Sequence, residues 1–409
     1  MLGNASRKHC TTTALVVFGL SLGGLVLPLT GPAGAASPAA PASGEPIKLM
    51  MIYEGSAGVG GSPTLPEGAV AAVRAINKAG GVGGRRLVLI KCDTKNDPNQ
   101  AAACGRKAVD QGVVALVGDL TTYGDQFLPL MQENKIPSIG TLTSNTTDFI
   151  SPASFPIGGG AIATFANLPR FLADEGAKKI ALVRIDLGAA AAATAIGNKG
   201  LASTGLKITN EVPVPTTAPD MSTYVAAALA GGTDGIVVIL PGQQALQFVQ
   251  AARQAAPDVK LALASTEAGP VTKALGPQVK GVVQALDSIP TPPVRIPAGR
   301  QFAKEMRAAG YDELGGFAPN SWLSVRAFAD LAKELPEVTA PATFDKLEQT
   351  TGLATGLTPP LQWTTGGVGG IPRIFTGCQM SVRLTAKGVQ KPVTGKFFDS
   401  FTNAECPTP

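Results

Sequence analysis

The stretch from Ile76 to Ala102 reads INKAGGVGGRRLVLIKCDTKNDPNQAA and holds the end of one helix, a strand and the start of another helix. Glycines stop the first helix and reverse the chain, because glycine adopts positive φ without a steric clash. They are Gly80, Gly81, Gly83 and Gly84. The apolar run RLVLIKC predicts a strand. Asp97-Pro98 predicts a helix start, because Pro suits the first turn and a short polar side chain caps it.

The same succession of strand and helix continues along the chain and occurs in two sets. The apolar runs of strand length are IKLMMIY (Ile47 to Tyr53), RLVLIKC, VVALVG, IPSIG, KIALVRI (Lys179 to Ile185), LKITNEV, GIVVIL and LALAS (Leu261 to Ser265). The helical patterns between them include Glu67 to Lys78, Asn99 to Asp110, Gln126 to Asn134, Thr164 to Glu175 and Gln243 to Ala256. This alternation is typical of α/β domains with parallel sheets covered by helices on both faces.

The last third of the chain is predicted to return to the two lobes that the earlier strands and helices form. The Pro-rich segment from Ile289 to Pro297 is typical of a linker. The helical patterns from Arg300 to Ala309 and from Ser321 to Leu335 cannot form a third sheet, and a further crossing near LTPPLQW precedes a late strand in IFTGCQMSVRL. We therefore predict one lobe from residues 46–157 and 290–358, a second from residues 158–289 and 359–409, and three crossings that form a hinge.

Residues 1–35 are predicted to be a secretory signal peptide. Arg7 and Lys8 precede an apolar stretch from Ala14 to Leu29, and Ala33 and Ala35 form a small-residue cleavage site. The alternative is an uncleaved membrane anchor, but the apolar run is shorter than the roughly 20 residues that span a bilayer. No cysteine stands at the end of the stretch, so a lipid anchor is not expected. The mature chain is expected outside the cytoplasm.

The composition argues against several classes of function. His9 is the only histidine and lies in the predicted leader, which excludes Ser-His-Asp and Cys-His catalysis and histidine-bearing zinc sites in the mature chain. We therefore predict no catalytic residue, no metal and no cofactor, and a binding protein instead of an enzyme. The net charge is only +5, and no basic cluster is interleaved with aromatic residues. A nucleic acid partner is not expected.

Four cysteines remain after the predicted leader, an even number for an oxidising compartment. Three pairings are possible, and we favour Cys92 with Cys104 and Cys378 with Cys406. Each of these bonds closes a local loop, which the chain-entropy model values at roughly 3 to 4 kcal/mol. The alternative, a zinc site made of all four thiolates, lacks any C-x-x-C pair.

The stretch from Ile76 to Ala102 also resembles a known family. Its pattern I-N-x-x-G-G-x-x-G, followed by a strand and D-x-x-x-D-P-x-x-A, is similar to the periplasmic binding proteins of the branched-chain amino acid (leucine-isoleucine-valine) type, the substrate-binding subunits of ABC importers. The segments ALVGDLTTYG, ENKIPSIGTLTS, ASTEAG and G-L-x-P-P-L-x-W follow in the same order as in that family. The resemblance covers nearly the whole mature chain and implies the type I fold, in which each of two lobes is a parallel sheet flanked by helices.

Candidate ligand contacts in the first lobe lie where predicted strands end, because open α/β sheets bind ligands at the carboxyl ends of their strands. They are Thr121, Thr122 and Tyr123 after VVALVGD, and Leu142, Thr143 and Ser144 after IPSIG. Hydroxyl and backbone N–H groups at a helix start suit a carboxylate, and the resemblance implies that these loops hold the α-carboxylate of an amino acid. Ordinary N-capping by Thr and Ser is the alternative.

Glu267 is the main candidate in the second lobe. It follows the strand LALAS, and the resemblance implies that it pairs with the ammonium group of the ligand; a solvated loop charge is the alternative. Tyr53, Glu54 and Phe317 are further candidates for lining the pocket, Phe317 because it falls near an aromatic residue of the family. The chain departs from the family at Leu187-Gly188, where a tyrosine-glycine pair is usual, so the ligand class stays open.

These observations predict an extracytoplasmic substrate-binding subunit of an ABC importer. It would capture an amino acid or a related small solute by closure about the hinge and deliver it to the permease. We expect a monomer whose partners are the small-molecule ligand and the membrane permease. The alternative is an extracellular sensor of the same fold that signals to a membrane receptor.

Overall fold

The computed structural model describes residues 44–55, 62, 64–143, 145–186, 190–264, 274–290 and 296–409. The predicted leader lies outside these residues, and so do the candidates Ser144 and Glu267 and the Leu187-Gly188 pair. The described chain forms two sheets, and each is covered by helices.

Five parallel strands form the first sheet, in the order β2-β1-β3-β4-β5. They are β1 (Ile47–Tyr53), β2 (Leu87–Asp93), β3 (Ala115–Val117), β4 (Ser138–Ile139) and β5 (Ser154–Phe155). The helices within this part are α1 (Leu65–Lys78), α2 (Pro98–Asp110) and α3 (Leu128–Glu133). Ile47 and Leu49 to Ile52 of β1 are fully buried. A continuous apolar run is what a strand with helices on both faces requires.

The predicted turn and helix start between α1 and α2 are confirmed. Gly80, Gly81, Gly83 and Gly84 all have positive φ. Arg85 O leaves no room for a methyl group on Gly81, so this position needs glycine for space as well as for its backbone angle. Asp97 caps α2, because its Oδ1 accepts the backbone N–H of Asn99 at 2.7 Å and of Gln100 at 3.1 Å.

The second sheet is mixed. Its parallel part is β6 (Ile180–Ile185), β7 (Ile208–Val214), β8 (Gly235–Ile239), β9 (Lys260–Leu263) and β10 (Val283–Leu286); its antiparallel part is β11 (Cys378–Leu384), β12 (Gln390–Pro392) and β13 (Phe398–Asp399). The helices here are α4 (Gly160–Asp174), α5 (Ala193–Gly200), α6 (Ser222–Leu229) and α7 (Gly242–Ala255). The expectation of a parallel sheet therefore holds only for β6 to β10, because β11 reaches the sheet without a crossover helix and turns tightly into β12.

The chain passes between the two sheets three times: after β5, after β10 and before β11. Between the second and third passages it forms α8 (Pro297–Ala308), α9 (Ala318–Ala332) and α10 (Ala340–Glu348), whose buried residues share one core with the first sheet. Ser321 of α9 donates to Leu65 O of α1 at 2.6 Å, and Ala318 O fills the space that a side chain on Gly68 would need. Helices distant in sequence thus pack closely.

The passages also contact one another. Ile289 of the second donates its backbone N–H to Leu357 O at 2.8 Å, and the Trp363 indole N–H donates to Pro156 O of the first at 2.8 Å. Both favoured disulfides are present: Cys92–Cys104 joins β2 to α2, and Cys378–Cys406 joins β11 to the C-terminal tail. One disulfide therefore lies in the part with the first sheet, and the other lies in the part with the second sheet.

Candidate functional site

A cavity of about 250 Å³ lies between the two sheets and is lined from both sides. From the part with the first sheet come Leu120, Leu142, Thr143 and Phe317. From the part with the second sheet come Gly160, Ala161, Thr164, Phe165, Ile239, Ala264, Ala285 and Asp287. Several of these residues stand at or just beyond the carboxyl ends of β3, β4, β8, β9 and β10. This is the edge where open α/β sheets bind ligands.

Glu54 holds the loop that follows β3. The residue is 2% exposed and comes directly after β1. Its Oε1 accepts the Thr121 hydroxyl at 3.1 Å, the Thr122 backbone N–H at 2.8 Å and the Thr122 hydroxyl at 2.8 Å. Two hydroxyls and a backbone N–H, the donors expected to hold a ligand carboxylate, thus bind a carboxylate of the protein itself.

Thr143 lines the cavity from the loop after β4 and is 4% exposed. Its hydroxyl has no hydrogen-bond partner among the described residues. It lies against Gly160, the first residue of α4, because a methyl group added there would overlap Thr143 Oγ1. Gly160 has a φ of +55°, so both its backbone angle and the neighbouring Thr143 favour glycine. A hydroxyl group can both donate and accept a hydrogen bond, so Thr143 has a polar group that a ligand could use.

Asp287 follows β10 and borders the cavity from the second sheet. Its carboxylate accepts the backbone N–H groups of Gly159 and Gly160, and Oδ1 accepts Gln379 Nε2 at 3.0 Å. Gly159 and Gly160 stand where the first passage meets α4, and Gln379 lies in β11 directly after the third passage, so Asp287 joins the chain at all three passages. Burial raises the pKa of Asp287 to about 6, and the three hydrogen bonds oppose this rise.

Asp119 is a second buried carboxyl group, beneath the loops after β3 and β4. Oδ1 accepts the Ile52 backbone N–H at 2.8 Å and Oδ2 accepts the Ser138 hydroxyl at 2.5 Å. Burial raises the pKa of Asp119 to about 7; the two hydrogen bonds lower the pKa, and nearby Asp148 raises it further. Asp119 is 1% exposed and does not line the cavity. Its contacts tie β1 to β4 below the site.

The structure brings some of the candidate residues to the cavity and places others beside it. Leu142, Thr143 and Phe317 line it. Thr121 is buried but does not line the cavity, and Thr122 is exposed. The Tyr123 hydroxyl donates to Asn96 O at 3.3 Å. Glu54 and Tyr53 do not line the cavity.

Sequence reasoning missed Asp287, Thr164 and Phe165, which line the cavity. Asp287 could have been found from the run GVVQAL before it, which contains β10 and carries the same signal as the other strands. Gln284 interrupts that run and only four residues form the strand, so the pattern is weak. Thr164 and Phe165 lie inside α4, where the sequence gives no sign of which face meets the other part of the molecule.

Among the described residues, no group of three or more His, Cys, Asp or Glu side chains is placed to hold a metal ion. No helix in the same ranges is long and apolar enough to cross a membrane.

A family model described as periplasmic binding protein matches residues 46–370. A Leu/Ile/Val-binding protein of Citrobacter freundii is 41% identical over 59 residues, which are 14% of this chain and only 16% of that relative. Solved structures match at far greater length. A substrate-binding periplasmic protein from Ralstonia solanacearum superposes with a TM-score of 0.73 at 19% identity and covers 85% of this chain and 99% of its own.

Two further structures carry ligand names in their descriptions. The branched-chain amino acid transporter substrate-binding protein LivJ of Streptococcus pneumoniae, in complex with isoleucine, has a TM-score of 0.70, 20% identity, and coverage of 85% of this chain and 99% of its own. A fatty acid ABC transporter substrate-binding protein from Thermomonospora curvata has a TM-score of 0.72, 19% identity, and coverage of 90% and 97%. At these identities the likeness establishes the fold.

Proposed function

Because the chain belongs to the periplasmic binding protein family, whose members bind ligands without transforming them, we propose that it is the substrate-binding subunit of an ABC importer. It captures an amino acid or a related small solute between its two sheets and delivers it to the permease. The observation that carries this proposal is the cavity, which both parts of the molecule line.

Closure about the three passages gives the cavity its function. A ligand that contacts both parts stabilises the arrangement in which they lie together, and so shifts an equilibrium between open and closed forms. A permease can then distinguish the loaded protein by its shape. The volume of about 250 Å³ is just below the roughly 300 to 1,000 Å³ of usual small-molecule sites, which favours a small solute.

The ligand contacts that we propose are those of the sequence analysis together with the residues that border the cavity. Leu142, Thr143 and Phe317 offer contacts from the first part, and Asp287 and Phe165 offer them from the second. Glu267 and Ser144 remain proposals made from the sequence. Glu54 supports the site by fixing the loop at Thr121 and Thr122.

The proposed setting is the cell envelope. A signal peptide over residues 1–35 would export the chain, and the two disulfides suit an oxidising compartment. We propose that the mature protein acts as a monomer there, because one chain supplies both sides of the cavity.

The test is a thermal-shift screen of the purified mature chain against amino acids, amides, amines, short-chain fatty acids and sugars, with calorimetry on every compound that shifts the melting temperature. A compound at 100 times its dissociation constant adds about 2.7 kcal/mol to the free energy of unfolding. At least one small solute should give such a shift and bind with a stoichiometry of one. A screen without any binder would contradict the proposal.

Variants then assign the roles. Leu142→Ala and Phe317→Ala should weaken binding of the compound found, and Ser144→Ala and Glu267→Gln test the two residues proposed from the sequence. Val88→Ala is a matched control, since Val88 is an exposed apolar residue of β2, 41% exposed and away from the cavity. Equal affinity in all these variants and the control would place the ligand elsewhere.

A further inference from the structure

We infer that the cavity selects a small aliphatic amine without a free carboxylate, and that Thr143 and Asp287 hold its amino group. This inference rests on the proposed function, in which the cavity binds a small solute, and narrows the chemistry of that solute. It follows from three observations: which group occupies the loop after β3, what charge the cavity wall carries, and which hydroxyl at the cavity lacks a partner.

The loop after β3 already binds a carboxylate. Glu54 Oε1 accepts the Thr121 hydroxyl, the Thr122 backbone N–H and the Thr122 hydroxyl at 2.8 to 3.1 Å. Glu54 is 2% exposed, so its side chain depends on these donors for its hydrogen bonds. A ligand carboxylate could use them only by displacing the Glu54 side chain, which would then lose the three donors that satisfy it while buried. An acidic ligand is therefore disfavoured at this loop.

The lining of the cavity favours a ligand that donates a hydrogen bond. Most of its lining is apolar, and Asp287 is the only charged residue among the described lining. Burial raises the pKa of Asp287 to about 6, and a cation bound beside this side chain favours the ionised carboxylate. A carboxylate offers about four lone-pair sites, and three donors from the protein leave capacity for one more. A cationic ammonium group can donate to this remaining site, whereas a ligand carboxylate is repelled by Asp287.

Thr143 supplies a second acceptor at the same place. Its buried hydroxyl has no partner among the described residues and lies against Gly160, whose N–H binds Asp287. The hydroxyl of Thr143 and the carboxylate of Asp287 therefore both approach Gly160. An ammonium group carries three donors, and Thr143 and Asp287 both line the cavity, so we infer that it binds both of them. Leu120, Leu142 and Phe317 then contact the aliphatic body.

Three compounds that share an isobutyl group test the inference: isopentylamine, leucine, which adds a carboxylate to that amine, and isocaproate, which is leucine without its amino group. Calorimetry on the mature full-length chain at pH 7 measures their dissociation constants. Isopentylamine should bind at least about tenfold more tightly than leucine, and isocaproate more weakly than both. Leucine or isocaproate binding as tightly as the amine would overturn the inference, and so would the absence of amine binding.

Two variants test the named residues. Thr143→Val and Asp287→Asn should each weaken isopentylamine binding by about tenfold or more. The matched controls are Thr233→Val and Asp258→Asn. These residues precede β8 and β9, at the amino ends of the strands, and both variants should bind isopentylamine as the wild type does. Thr143→Val alone decides the matter if Asp287→Asn does not fold. Unchanged amine affinity in Thr143→Val would overturn the assignment of Thr143.

Failure of the inference can be separated from failure of the proposed function. If the wider screen finds a ligand that bears a carboxylate and ignores Thr143 and Asp287, the inference is overturned and the binding function stands. If the screen finds no ligand of any class, the binding function itself fails.

Discussion

Glu54 and Asp287 stand at equivalent places in the two parts of the molecule and have different surroundings. Each follows a parallel strand, Glu54 after β1 and Asp287 after β10. Glu54 accepts three hydrogen bonds from one loop of its own part of the chain. Asp287 accepts three from the start of α4 and from β11, and it also borders the cavity.

This difference shows that a carboxylate at the end of a strand is not by itself a ligand contact. Its role depends on the donors that the tertiary structure brings to it. Donors from an adjacent loop bury Glu54 away from the cavity, whereas donors from distant segments leave part of Asp287 facing the cavity. Asp119, with two donors and full burial, is a third case.

The largest expected effect concerns Asp119. Its folded-state pKa of about 7 lies above the ordinary value of 3.8, so between about pH 4 and pH 7 the folded chain retains a proton that the unfolded chain releases. The free energy of unfolding therefore falls as pH rises through this window, by at most about 1.4 kcal/mol per pH unit. Denaturant unfolding of the wild type and Asp119→Asn at several pH values measures the slope, which should be shallower in the variant. Parallel curves would contradict the prediction.

The disulfides come next, because each lies beside one of the compared carboxylates. Cys92 pairs with Ile52 across the sheet, two residues before Glu54, and Cys378 precedes Gln379, which binds Asp287. Replacing Cys378 and Cys406 together by Ala should lower the free energy of unfolding by roughly 3 to 4 kcal/mol, and replacing Cys92 and Cys104 together should lower it by about 3 kcal/mol. Urea unfolding measures both. Only the loss of the Cys378–Cys406 bond should weaken ligand binding. Weaker binding after the loss of Cys92–Cys104 alone would contradict the prediction.

Removal of the Glu54 side chain is expected to cost somewhat less. Glu54→Ala takes away the acceptor of three donors and should lower the free energy of unfolding by about 2 to 3 kcal/mol, because a hydrogen bond to a charged group contributes about 1.5 to 3 kcal/mol and Thr122 can turn to water. Glu54→Gln keeps an oxygen at the same place and should lose less. Glu133→Ala, an exposed residue of α3, is the control. A loss no greater than in the control would contradict the role given to Glu54.

The smallest expected effect is at Gly160, between Thr143 and Asp287. Gly160→Ala and the control Gly205→Ala both place Ala at a positive φ, but only the first methyl group meets other atoms, since Gly205 has nothing within 4 Å. The extra loss in the free energy of unfolding for Gly160→Ala should be about 1 to 2 kcal/mol. Equal losses would show that Thr143 does not press against Gly160 in solution.

Much of the fold could be predicted because its signals are local. The apolar run of β1, the positive φ of the four glycines and the Asp97 cap depend on neighbours within a few residues, and each is present. The missed elements are short or carry weak patterns: β5 has two residues and β10 contains Gln284. The antiparallel arrangement of β11 was missed because alternation of apolar residues does not state a strand's direction.

The sequence by itself determined the class of the fold, the helix ends and the favoured cysteine pairs, since periodicity, backbone preference and loop length act along the chain. Only the tertiary structure decided which polar groups face the cavity. It placed Glu54 on the donors of Thr121 and Thr122, and it set Asp287 against Gly160 and Gln379. These contacts join residues far apart in the chain, and hydrogen bonds form between groups that packing brings within about 3 Å, whatever their separation in sequence.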